Sequence, residues 1–249
     1  MPTRDRLTVL GAILEDGFVP HYTAADPEIA WTVPAACQKV GIRAVEFMNR
    51  VDMGHEIVAE LVKRAAKEAP DVIIGSGTLQ DAATAALHIS AGASFIVSPT
   101  FDAEVARLCN RRRIVYIPGC GSATEVLAAE EWGCEIIKLF PAAAFDGPAF
   151  IRGILGPNPA TKLMPTNIDA SEDIVRKWFM AGACAVGVGS SLMTPGIIKF
   201  KETDMVAERL GSFREWVMTA KRAIARANGD AASRGGARTP VVDPRGASR

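Results

Sequence analysis

Lys138 lies in the apolar run EIIKLFPA (Glu135 to Ala142), among Ile136, Ile137, Leu139 and Phe140. Such a run reads as a short strand covered on both faces. An unpaired ammonium buried there costs on the order of several kcal/mol, comparable with the net stability of a whole domain. Lys138 therefore needs a charge partner, a route for its head group to water, or surroundings that push the amine toward neutrality. A neutral amine is a nucleophile that forms a Schiff base with a carbonyl compound. Glu46 in AVEFM poses the same problem with the opposite sign. A buried ion pair between the two is the purely structural alternative.

Alternation along a strand places Ile136, Lys138 and Phe140 on one face, and Ala44, Glu46, Met48 and Arg50 on one face of another. The motif GSGT puts Ser76 and Thr78 together where a strand meets its loop, and a further strand ends at Ser98-Pro99. If these ends converge, one cavity holds an amine, a carboxylate, a guanidinium and hydroxyls. Those groups fit the condensation of Lys138 with a 2-oxo acid, whose iminium then serves as electron sink for breaking a carbon–carbon bond. Carbinolamine formation, dehydration and cleavage each need an acid or a base, a role for Glu46. Arg50 and Thr78 suit the substrate carboxylate, Arg through paired donors. Phe140 supplies an apolar wall that helps hold the amine neutral. Taken singly, a Thr after a strand is often a helix cap, and an Arg at a strand end often makes a surface pair.

The elements that must position these groups follow a strand-then-helix rhythm. Strands are expected at 18–22, 44–48, 72–76, 94–98, 114–117, 136–140, 162–165 and 185–189. Helical spacing occupies 56–68, 82–90, 103–110, 124–132, 148–155, 172–181 and 205–227. Asp81, Asp102, Ser122 and Ser171 precede helical pattern as N-caps, and Gly41, Gly92, Gly133 and Gly182 follow it as terminators. Eight such units predict an α/β fold, a single-domain (β/α)8 TIM barrel over residues 1–228 with a helix at its N-terminus. An open doubly wound sheet is the competing arrangement, but the first strand leads into HYTAADPE, without the glycines of a dinucleotide-binding turn. Pro34 is placed to kink or split the helix after the first strand. Residues 229–249, rich in Gly, Arg, Ala, Ser and Pro, are expected to be a disordered tail.

Composition narrows the function classes. The 249 residues are 49% hydrophobic, enough for a full core, and 28 basic residues balance 28 acidic ones. That balance offers no electrostatic reason to expect nucleic acid or an anionic membrane. No apolar run reaches the roughly 18 residues that span a bilayer, and the N-terminus reads as a cytoplasmic start. Five scattered cysteines read as buried thiols, and neither they nor His21, His55 and His88 have the spacing of metal ligands. No metal and no cofactor are expected.

Within this pattern, the stretches GIRAVEFMNR, VIIGSGTLQDAATAALHISAGASFIVSP, YIPGCGSATEVLAAEEWGCEIIKLFPA, MPT and AGACAVGVGSSL occur in the order and spacing of one known family. Over about Arg6 to Leu192 the chain resembles the class I 2-dehydro-3-deoxy-phosphogluconate (KDPG) / 4-hydroxy-2-oxoglutarate (KHG) aldolases. The resemblance implies a metal-independent, pyruvate-forming lyase of carbohydrate metabolism (the Entner-Doudoroff route), built as a homotrimer of TIM barrels. It implies that Lys138 is the Schiff-base lysine and Glu46 the acid/base, with Arg50 and Thr78 at the substrate carboxylate. Pro99 and Phe140 would line the pocket, with Thr166, Asn167 and Ser190 at the distal end of the substrate. There the family reads PTGG, whereas this chain reads MPTNIDAS, with Asn167 in place of the glycine pair. Glycines let backbone N–H groups approach an anion closely, so the resemblance stops short of assigning a phosphorylated substrate. Two other classes remain beside the aldolase: a phosphate-binding barrel isomerase or synthase using Glu46 as base, and a non-catalytic sugar-acid-binding barrel.

Overall fold

The computed structural model describes residues 4–142 and 147–234. It contains α1 (Arg6–Asp16), β1 (Phe18–Tyr22), α2 (Pro27–Ala30), α3 (Thr32–Val40), β2 (Ala44–Met48), α4 (Gly54–Glu68), β3 (Ile73–Gly77) and α5 (Ala82–Ser90). There follow β4 (Phe95–Val97), α6 (Ala103–Arg112), β5 (Val115–Ile117), β6 (Gly119–Cys120), α7 (Ala123–Glu131) and β7 (Ile137–Leu139). The remainder is α8 (Gly147–Leu155), β8 (Leu163–Pro165), α9 (Glu172–Ala181), β9 (Val186–Val188), α10 (Pro195–Lys199) and α11 (Thr203–Arg234).

All strand pairings are parallel, in the orders β5-β4-β3-β2-β1-β9 and β6-β7-β8. β5 and β6 are two halves of one strand interrupted at Pro118, which has no N–H to give to a ladder. β5 pairs with β4, and β6 pairs with β7, so this strand joins the two sheets. The other seam is closed by Cys184 N–H donating to Leu163 O at 3.0 Å and by a parallel bridge between Thr166 and Gly187. The sheet therefore closes into the expected (β/α)8 barrel, and the open-sheet arrangement is excluded by that second seam.

Several expectations are refined. Asp81, Asp102, Ser122 and Ser171 all accept a backbone N–H at the starts of α5, α6, α7 and α9. The helix after β1 is split, at Trp31 rather than at Pro34. Pro34 lies in the first turn of α3, where its missing N–H leaves no intrahelical bond unmade. α11 continues to Arg234, past the boundary drawn from composition. Lack of apolar residues forbids packing, but a helix already nucleated by its packed portion extends through Ala- and Arg-rich sequence at little further cost. The rest of the expected tail, 235–249, lies outside the described residues.

α1 underlies the barrel. Val9, Leu10, Ala12 and Ile13 pack against inward residues from the strands, including Val19, Ala44, Ile73, Phe95, Val115, Ile136 and Met164. The ends of α1 are tied to two particular strands. Arg6 pairs with Glu135 at 2.8 Å and donates to Gly133 O, at the entrance to β7. Asp16, buried, accepts from the Arg43 guanidinium at 2.7 Å and from the Arg43 N–H at 2.8 Å, at the entrance to β2. The one helix thus spans the bases of the strands that carry Lys138 and Glu46.

Helices cover the outer face of the sheet. His88 of α5 meets Ser76 of β3, Nδ1 to Oγ at 3.0 Å, in a fully buried contact. Burial, and then the nearby His55, lower the His88 pKa from 6.5 to about 4. Between those values the unfolded chain binds a proton that the native state refuses, so stability falls as pH drops from 6.5 toward 4. His88→Gln should flatten that decline by roughly 3 kcal/mol, measured as unfolding free energy against pH beside the wild type.

Candidate active site

The barrel interior changes character along its axis. Below, each inward position holds an apolar side chain; one layer up, several inward positions are glycine. β3 contributes Gly75 and Gly77, and β9 contributes Gly187 and Gly189. The Phe95 ring takes the space beside Gly75, while that left by Gly77, Gly187 and Gly189 is filled by ionisable and polar side chains from neighbouring strands. A Cβ on Gly77 would lie 1.7 Å from Oε1 of Glu46, so the carboxylate rests directly over that backbone. A Cβ on Gly187 would lie 2.7 Å from the Thr166 methyl, and one on Gly189 would lie 2.4 Å from Cε1 of His21.

Lys138 projects inward from β7, in register with Gly119 and Met164, and is only 9% exposed. Glu46 projects inward from β2 and is 3% exposed. Glu46 acts on the lysine as a nearby charge rather than as a hydrogen-bond partner, so the contact ion pair weighed as a structural alternative is not made among the described residues. Burial lowers the Lys138 pKa below the usual 10.5; the Glu46 charge opposes this, and the Arg50 charge adds to it. The Phe140 ring lies 4.7 Å from Nζ. This corrects one expectation: a ring face attracts the cation, so Phe140 favours the ammonium form, and desolvation depresses the pKa despite it.

The other sequence-derived residues fall into two groups around the rim. Arg50, exposed just beyond β2, donates through Nε to Thr78 Oγ1 at 3.3 Å. Thr78 adopts a left-handed backbone (φ 61°), which releases its side chain from strand alternation. Ser76 therefore does not accompany it: Ser76 faces α5 and His88, as described above. Pro99 and Phe140 are half-buried at the ends of β4 and β7. On the far side, Thr166 is 2% exposed with its hydroxyl unpartnered. Asn167 and Ser190 are exposed after β8 and β9. Asn167 has φ 59°, a conformation that glycine adopts freely and asparagine tolerates better than most residues, so the loop keeps a glycine-like turn without glycine. Ser191 Oγ donates to Ile168 O at 2.8 Å and fastens the two loops together.

His21 was not singled out in the sequence as a site residue. Its spacing bears only on metal ligation, yet it shares the inward face of β1 with Val19 and pairs in register with Glu46. Its polar type at an inward strand position was the available signal, the same one that marks Glu46 and Lys138.

The amine, the carboxylate beside it and the Arg50–Thr78 pair form a group suited to imine chemistry on a carboxylate-bearing carbonyl compound. Comparison with known proteins agrees with that chemistry. Residues 14–209 match the family described as KDPG and KHG aldolase. The chain is 30% identical over 189 residues to the 2-dehydro-3-deoxy-phosphogluconate aldolase of Treponema pallidum, covering 76% of this chain and 87% of that one. It is 31% identical over 170 residues to the corresponding enzyme of Pseudomonas aeruginosa, covering 68% and 74%. Among solved structures, the KDPG aldolase of Legionella pneumophila, with pyruvate captured as a covalent carbinolamine, superposes with a TM-score of 0.73. That match has 25% identity and covers 81% of this chain and 96% of the other. Inward Lys138 and Glu46 over a glycine layer, on a closed barrel matching these proteins along most of its length, make this chain a member of the KDPG/KHG aldolase family, the class I aldehyde-lyases.

Proposed function

We propose that this protein cleaves a 4-hydroxy-2-oxo acid to pyruvate and an aldehyde through an imine on Lys138. The observation that carries the reading is an amine buried inside the barrel, lowered in pKa, and held near a carboxylate that does not bond to it. The amine adds to the C2 carbonyl, and loss of water from the carbinolamine leaves an iminium. Glu46 accepts the proton of the C4 hydroxyl, directly or through water; the C3–C4 bond breaks, the aldehyde leaves, and the electron pair moves into the iminium as an enamine. Protonation at C3 and hydrolysis release pyruvate and regenerate the amine. Arg50 and Thr78 hold the C1 carboxylate, and Pro99 and Phe140 shape the pocket. Thr166, Asn167 and Ser190 face the part of the substrate that leaves as aldehyde. The candidate substrates are 2-dehydro-3-deoxy-6-phosphogluconate, 4-hydroxy-2-oxoglutarate and related sugar acids, and the assembly we propose is the homotrimer that the family resemblance implies.

The carbinolamine captured in the Legionella enzyme supports this chemistry for the present chain. Borohydride reduction with pyruvate, followed by peptide mass mapping, should give a pyruvate-sized adduct on Lys138 that is absent in Lys138→Ala. Cleavage activity should fall on the order of a thousandfold or more in that variant. Adduct formation should rise with pH and level off below the ordinary lysine value of 10.5. A folded wild-type protein that yields no adduct would rule out the imine and favour an isomerase or synthase in which Lys138 acts only as a charge.

The glycine beneath Glu46 gives a separate check. Gly77→Ala places a methyl where the carboxylate now lies and displaces Glu46 while leaving the amine in place, so the Lys138 adduct should still form, more slowly than in the wild type. Exchange of pyruvate methyl protons with deuterated water, followed by NMR, should slow by about 10- to 100-fold.

A further inference from the structure

The proposed reaction, as assigned so far, does not use His21. Its ring is 9% exposed and lies inside the barrel, and neither Nδ1 nor Nε2 has a hydrogen-bond partner. A buried imidazole with both nitrogens unmatched is uncommon, since buried polar atoms nearly always find partners. Thr166 Oγ1 is unmatched in the same way. The two side chains flank β9 and lean over its inward glycines, the Thr166 methyl over Gly187 and the His21 ring over Gly189. The barrel thus has one wall, β8-β9-β1, that offers two unsatisfied polar side chains above a glycine floor.

Their chemistry indicates what they would take. Burial lowers the His21 pKa; the Glu46 charge opposes this, and the Lys138 and Arg50 charges add to it. A neutral imidazole presents one N–H donor and one acceptor nitrogen, and a threonine hydroxyl also does both. Such a pair suits a hydroxyl, which donates and accepts, better than a carboxylate or phosphate, which only accepts. The direction of the substrate follows from the other anchors. With C2 on Lys138 of β7 and the carboxylate toward Arg50 and Thr78 beyond β2 and β3, trigonal geometry at C2 sends C3 and C4 away from that side. Two walls remain: β4 to β6, whose inward side chains Val97 and Ile117 are apolar, and β8-β9-β1, which bears Thr166 and His21 and alone offers polar partners.

We infer that His21 is a specificity-determining residue that, with Thr166, hydrogen-bonds hydroxyl groups on the aldehyde-derived half of the substrate, selecting hydroxylated aldehydes over plain ones. This inference rests on Lys138 being the imine-forming residue.

The test runs the reaction in the condensing direction with pyruvate and either glyceraldehyde or propanal, which have the same chain length with and without hydroxyls. The ratio of kcat/KM for the two aldehydes is compared among wild type, His21→Phe, His21→Val and His21→Gln. The Phe and Val variants should lower the ratio by about tenfold or more, chiefly through glyceraldehyde, and Gln should restore part of it. Borohydride trapping of pyruvate on Lys138 should be unchanged throughout. Thermal melting identifies which variants are folded, and either nitrogen-free variant suffices. An unchanged ratio in a folded, trappable Phe or Val variant would overturn the assignment and leave an ordered water as the partner of His21. Failure of the wild type itself to trap pyruvate would instead overturn the aldolase reading, and this inference with it.

Discussion

Holding a lysine amine inside a packed barrel is the constraint on which the rest of the site depends. Desolvation works against the ammonium, while the Phe140 ring and the Glu46 charge work for it. The balance lowers the pKa without a direct partner that would occupy the amine's hydrogens. A contact salt bridge would have satisfied the charge more fully and left a less available nucleophile. The layer of inward glycines allows the alternative, because it gives each charged or polar group volume of its own rather than forcing them into contact.

That separation depends on strand placement, and α1 is the element best placed to maintain it. Arg6 ties its first turn to the entrance of β7, and Asp16 ties its last residue to Arg43 at the entrance of β2. Lys221 of α11 adds donors to the carbonyls of Leu14 and Glu15, at 2.7 and 2.8 Å, where the helix would otherwise leave them unpaired. The strand ends of the first two ties, Glu135 and Arg43, each lie three residues before an ionisable group of the site. A strand rises about 3.3 Å per residue, so these contacts sit roughly one side-chain layer and a half below the groups they hold. The lower core and the reactive layer are consecutive storeys of the same strands.

Most of this architecture was legible in the sequence. Strand–helix alternation, the N-caps and the helix-ending glycines are local signals, and they fix the element order before any tertiary contact is known. Glu46 and Lys138 stood out because charge within an apolar strand has few explanations. What was hidden depended on neighbours distant in sequence. Ser76 could not be assigned to the outer face without knowing that His88 waits on α5, nor Thr78 to the rim without its left-handed backbone. His21 carries the same local signal as Glu46 and Lys138, but the room for its ring comes from Gly189, far along the chain. The cation-attracting role of the Phe140 ring likewise needed a distance and an orientation, which alternation alone does not supply.

The helix beneath the barrel has a consequence for traffic. Val9, Leu10 and Ile13 pack across the lower end, so among the described residues that end is closed to traffic toward Lys138. A molecule attached to that lysine occupies the bottom of a cul-de-sac. Anything severed from it must depart through the space above, and the water that frees the remaining fragment must arrive by the same corridor. In the proposed reaction departure would therefore be sequential, with the upper fragment first and the lower one after it.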